Sequence, residues 1–262
     1  MLAVPLIVAL ICVFLPRIPQ PQSYHAFADH RSLLGVPNFG DVASNLPFAV
    51  VGVMGIAFVL RSGCNSAARQ FIDSRERWPY LVAFAGILLT AFGSSYYHLD
   101  PNNARLVWDR LPIMVAFTAT AAALITERVQ IRLGLLLLPV LLTMGIASVL
   151  QWYASELHGV GDLRFYAAVQ VGSTLVLLIV LLFPARYNRG SDLAVVVGLY
   201  ALAKILEASD KPTFYAGHVV SGHTLKHLAA AAAGYWLLRM LQMRRPIGCV
   251  GTGLSPASTR SR

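Results

Sequence analysis

The stretch Gly93-Ser-Ser-Tyr-Tyr-His-Leu-Asp-Pro-Asn-Asn-Ala-Arg-Leu-Val-Trp-Asp-Arg110 joins two long apolar runs and carries Ser94, His98 and Asp109 near the junction. The runs on either side, about residues 79–98 and 107–126, have the length of a membrane crossing, roughly 20 residues. Five others of similar character follow the same pattern, at about 45–61, 132–153, 163–184, 192–208 and 217–241. Of the 262 residues 56% are hydrophobic and only 13% charged, against about a quarter charged in a soluble domain. The chain therefore reads as an all-α multi-pass membrane protein with a seven-transmembrane-helix core.

The rest of the chain divides around that core. Met1–Leu15 is apolar and closed by Pro16 and Arg17, and lacks the basic n-region and small-residue cleavage site of a secretory signal. It is expected to be one extra N-terminal helix over 1–16. Residues 17–44, rich in Pro, Gly and polar side chains, form an extramembrane loop; 45–243 form the core. Residues 244–262 hold too few apolar side chains to pack and read as a disordered cytoplasmic tail. Cys12, Cys64 and Cys249 are odd in number and far apart, which supports neither a disulfide framework nor a Cys-type zinc site.

Lys and Arg set the expected orientation. Counting the N-terminal helix as the first of eight, the loops after the first, third, fifth and seventh carry seven of them. The remaining loops and the tail carry thirteen, so that side is expected to be cytoplasmic. The net charge of +9 is thus spent on orientation, and no nucleic-acid partner is expected. In this arrangement Ser94, His98 and Asp109 share the non-cytoplasmic end with His223 and His227, which open the last run. The expected location is a bacterial inner membrane or a eukaryotic endoplasmic reticulum or Golgi membrane, with the site on the non-cytoplasmic side.

His223 and His227 are four residues apart, so both leave one helix face a turn apart; Ser94 and His98 have the same spacing. A catalytic zinc takes three protein ligands and leaves one position open, and His98, His223 and His227 fill that number. Each His alone could instead cap a helix end or hydrogen-bond at the interface. Ionisable groups inside a membrane are costly, and their coincidence favours a metal. Asp109 is either a helix N-terminal acid favoured by the dipole or a proton acceptor and donor beside the metal. Ser94 either back-bonds to its own helix or donates to an oxyanion.

Ser94-x-x-x-His98, Asp109 and His223-x-x-x-His227 together resemble the pattern of the alkaline ceramidases, part of a wider group that includes the adiponectin and progestin receptors. Asn38–Asn45, Leu106–Pro112, Gly161–Tyr166 and Ser221–Leu228 are similar as well, and the resemblance covers about residues 24 to 240. It implies a seven-helix hydrolase core and Zn2+ held by three His. It also implies hydrolysis of ceramide, a membrane lipid, to a sphingoid base and a fatty acid. The acyl chain is expected in a tunnel lined by the fourth to sixth helices. Animal members also bind Ca2+ in the segment before the first core helix; here Tyr24–Asn45 offers Asp29 and Asn38, with Asp41, as oxygen side chains. Calcium normally takes six to eight oxygens; without it, the segment is a loop packed by Tyr24, Phe27 and Phe39. Two other readings remain: a receptor-like or lipid-remodelling member of the group, and a transporter relaying protons through His and Asp109.

Overall fold

The computed structural model describes residues 13–64 and 70–247, with the side chains of Gly63 and Cys64 left aside. The expected N-terminal helix lies almost wholly outside the described residues, as does most of the tail. Among the described residues the chain is all helical, with isolated bridges at Leu33–Val36 and Tyr187–Pro246 in place of any strand. The α-helices are α1 (Phe39–Ala43), α2 (Leu46–Cys64), α3 (Arg77–Leu99), α4 (Asn103–Arg128) and α5 (Ile131–Leu157), then α6 (Arg164–Val180), α7 (Asp192–Ala208), α8 (Asp210–Gly217) and α9 (Gly222–Met243).

Helices fall on all seven apolar runs, with shifted boundaries. Four spans, Phe39–Ser62, Ser74–Leu99, Asn103–Arg128 and Ile131–Leu157, are long and apolar enough to cross a membrane. Leu136, Val140 and Leu150 of α5, and Leu89 and Phe92 of α3, point outward. So much outward apolar surface suits lipid and not water. The last run opens on a break: α8 ends at Gly217, followed by His218 with a left-handed φ of 52°, and α9 starts at Gly222.

Local chemistry sets where the site-bearing helices begin. Asn102 caps α4, its side-chain oxygen accepting from the Arg105 N–H at 3.0 Å. The helix thus begins four residues before the expected run, and Asp109 lies in its second turn. Ser221 caps α9 in the same way through the Thr224 N–H, at 2.9 Å. Two glycines then let helices approach. A Cβ on Gly93 would stand 2.0 Å from the Trp108 carbonyl oxygen, and one on Gly222 would stand 2.4 Å from the Leu206 carbonyl oxygen. The first contact presses α3 on α4 beside Ser94 and Asp109, and the second presses α9 on the end of α7 beside His223.

The ends of α3, α4 and α9 away from the histidines are locked by a buried ionic cluster. Glu127 accepts from Tyr80 Oη at 2.7 Å and from Arg244 Nη1 at 2.5 Å. Arg244 Nε also donates to the Gln70 carbonyl at 2.8 Å, and the guanidinium stacks 4.0 Å from the Tyr187 ring centre. Tyr187 and Arg186 both donate to Glu76. Arg244, assigned by sequence to the tail, is instead part of the fold. A basic residue at a helix end reads as solvated unless its acidic partner, here 117 residues away, is known.

Gly93→Val is expected to destabilise the bundle by about 2 kcal/mol or more, because backbone rather than a yielding side chain meets the new atoms. Gly198→Ala, where a Cβ meets nothing within 4 Å, is expected to be neutral or slightly stabilising. Thermal unfolding in detergent compares the two; equal midpoints would show that α3 and α4 can separate without penalty.

Candidate metal centre

His98 closes α3, and His223 and His227 occupy the first turns of α9, so the helix ends rather than any loop carry the three rings. Their centroids form a nearly equilateral triangle, 4.8 Å between His98 and His223, 5.0 Å between His98 and His227, and 4.9 Å between His223 and His227. All three are buried, and one nitrogen from each lies within 4.8 Å of the others. That is close enough to hold one metal ion after modest ring adjustment.

The surrounding hydrogen bonds fit such a use. Ser44 Oγ donates to the Asp41 carbonyl at 3.1 Å, so it accepts from His227 Nδ1–H at 2.8 Å. This network assigns the tautomer and leaves His227 Nε2 as the free donor atom. His98 Nδ1 is buried with no hydrogen-bond partner, a state that buried polar nitrogens rarely keep unless something else fills the place. His223 Nε2 lies 3.2 Å from Lys226 Nζ, a contact that an ion bound through this nitrogen would replace. His223 is also held from behind, its backbone N–H donating to Asp210 Oδ1 at 2.8 Å.

Phe27, from the segment before α1, covers the triangle. Its ring centre lies 4.7 Å from that of His98 and 4.4 Å from that of His223. The segment is tied down by His25, whose ring bonds Tyr97 Oη at 2.8 Å and Asn103 Oδ1 at 2.9 Å, and by the Ala28 N–H donating to Asp210 Oδ2 at 2.8 Å. Residues 17–44, expected as a loop outside the bilayer, thus form a fixed cover over the histidines.

Ser94 and Asp109 face each other across the close α3–α4 approach and, with His227, line one cavity of about 350 Å³. Ile113, Ala116, Phe117, Leu177, Val196 and Leu237 make its apolar part, and Glu207 and Lys226 contribute polar groups near the histidines. The walls come from α2, α3, α4, α6, α7 and α9, with Tyr24 from the segment before α1. α5, expected among them, turns its apolar side chains outward instead.

Asp29 and Asn38, considered above for calcium, have other partners. Arg31 donates to both carboxylate oxygens of Asp29, at 2.8 and 2.7 Å, and holds its carboxyl below the usual range. A calcium ion there would have to displace a guanidinium. Asn38 Nδ2 donates to the His98 carbonyl at 2.8 Å, which makes it a brace for a histidine. His218, one turn before His223 in a continuous helix, is removed from the triangle by the break and packs on Phe214.

Several contributors carry no signal in the sequence. Ser44 and Asp210 act on histidines 183 and 13 residues away. Buried Asp41 links α1 to α9, accepting from Thr224 Oγ1 at 2.7 Å and Ser221 Oγ at 3.2 Å. Glu207 accepts from both Lys204, one turn before it on α7, and Lys226, the latter at 2.8 Å. No known family model matches this chain, and no curated protein does either.

Ser44→Ala is expected to weaken metal binding by about 10- to 100-fold by releasing His227 from its orientation. Titration of chelator-stripped protein with Zn2+ against a chelating dye measures this. Unaltered affinity would mean that Ser44 does not position the ring.

Proposed function

We infer that this protein hydrolyses the amide bond of a membrane lipid of the ceramide class, with Zn2+ as its metal. The observation that carries the reading is the opening of one apolar cavity onto His227, Ser94 and Asp109 together, at the edge of the three-histidine triangle. Three imidazole nitrogens suit zinc, and three protein ligands leave a coordination position for chemistry. A bound Zn2+ would polarise a carbonyl and make a water acidic enough to lose its proton near neutral pH.

The protein's own groups would do the rest. Asp109, buried in the second turn of α4, accepts the proton of the attacking water and passes it to the leaving nitrogen, which otherwise departs as a poor anionic leaving group. The Ser94 hydroxyl donates to the carbonyl oxygen as it gains negative charge. His98, His223 and His227 would hold the ion, and Phe27 keeps bulk water off their rings. The lipid's acyl chain lies along Phe117, Leu177 and Leu237, and the amide stops where the polar residues begin.

The expected ceramide class follows from the resemblance to alkaline ceramidases, and the combination of a metal-capable cluster with a mostly apolar cavity supports it. The closed triangle at one end of α3 and α9 favours a shared ion over a proton relay, which needs groups at several depths.

His223→Ala is expected to remove bound zinc and ceramide hydrolysis while the protein still inserts. Asp109→Asn is expected to keep the zinc and lose turnover by about 100-fold or more. Elemental analysis and release of a free sphingoid base are the two measurements. Normal turnover by His223→Ala, or a wild type free of zinc, would defeat the assignment.

A further inference from the structure

Arg110 follows Asp109 on α4 but leaves the helix about 100° around from it. Its guanidinium is enclosed by three aromatic rings, 4.1 Å from the centre of Trp152, 4.7 Å from Tyr166 and 5.6 Å from Tyr24. The residue is only 5% exposed. Nη2 donates to Gln20 Oε1 at 2.6 Å, whereas Nη1 is buried without a partner. Among the described residues, no carboxylate pairs with it.

This is an unusual state for a guanidinium. Aromatic faces stabilise the cation from above and below, but they do not satisfy the N–H groups at its edge. A buried charge without a counter-ion is strongly disfavoured unless a bound group completes it. Arg110 lines the same cavity as Ser94, Asp109 and His227. Lys204 and Lys226, the other cations of that wall, are both already paired with Glu207. Arg110 thus brings to that wall a guanidinium with one nitrogen unmet by any protein acceptor and with no carboxylate paired to it among the described residues.

We propose that the Arg110 guanidinium binds an anionic oxygen on the lipid that occupies this cavity. Two sources share that chemistry: the carboxylate of the acyl chain released by amide cleavage, and a phosphate on the lipid's head group. The first source rests on the hydrolase reading above; the anion site itself does not. Arg110 would then retain the acidic product or select an acidic lipid, and the aromatic box would fix the direction of the donor.

The test is binding of dodecanoate, dodecyl phosphate and dodecanol to chelator-stripped protein in detergent, measured by calorimetry. With the metal removed, the histidine triangle offers no cation to these ligands. Wild type is expected to bind at least one of the anions about tenfold more tightly than the alcohol, as a charge-assisted hydrogen bond allows. Preference for dodecanoate identifies the released acyl chain as the ligand, and preference for dodecyl phosphate identifies the head group. Arg110→Gln should abolish the preference while keeping dodecanol affinity, which also reports an intact cavity. Arg110→Lys keeps the charge without the planar edge and should retain part of it, and it serves if the glutamine variant does not fold. Equal binding of alcohol and anions by wild type, or a preference that survives Arg110→Gln, overturns the proposal. Because no hydrolysis is measured, an inactive amidase can still pass and an active one can still fail.

Discussion

Three buried imidazoles brought together at the ends of two helices are the constraint on which the rest of this structure depends. Each carries ring nitrogens that cannot be left unmet away from water without a cost of about 1–3 kcal/mol or more. Ser44 meets one nitrogen of His227 and Lys226 meets one of His223, while His98 Nδ1 has no protein partner. One nitrogen of each ring lies within 4.8 Å of the others, and surrounding elements hold the rings in place. Asn38 braces the His98 carbonyl, Asp210 the His223 N–H, and Phe27 closes the space above.

The two ends of α3, α4 and α9 solve different versions of one problem. At the histidine end, His227, Ser94 and Asp109 line a cavity. At the other end, Glu127, Tyr80, Arg244, Glu76, Tyr187 and Arg186 are buried largely against one another. Breaking such a cluster by removing one partner leaves an uncompensated charge, so it holds the helices in one arrangement. The close approach at Gly93 carries that order along α3 and α4 to Ser94 and Asp109. A site built on rigid helix ends keeps its groups in position better than one built on loops.

The cavity joins the histidine triangle to the body of the bundle. Its apolar walls suit a hydrocarbon chain, and its polar groups are gathered near the histidines. Glu207 draws both Lys204 and Lys226 together, whereas Arg110, on the same cavity, has no carboxylate paired with it among the described residues. By position in the sequence Arg110 lies beside the short link between the second and third core runs, where Lys and Arg are expected to orient the chain. Trp152 and Tyr166 reclaim it from that role, because stacking on their faces lets a cation remain inside the protein.

Composition and spacing by themselves determined the helical class, the seven apolar runs and the pairing of His223 with His227 on one helix face. These follow from local periodicity, which needs no knowledge of distant neighbours. The joining of His98 to that pair was an expectation, reached through alternating helices and a shared end, and the folded chain supplied the distances. Only tertiary structure decided that Ser44 orients His227, that Phe27 covers the rings, that Arg244 belongs to the core and that Asp29 serves Arg31. It also replaced the wall expected from α5 with α7 and α9. The reason is that a single Ser, Phe or Arg has no periodic signature. Its role is fixed by partners tens to hundreds of residues away, and those contacts exist only once the helices have packed.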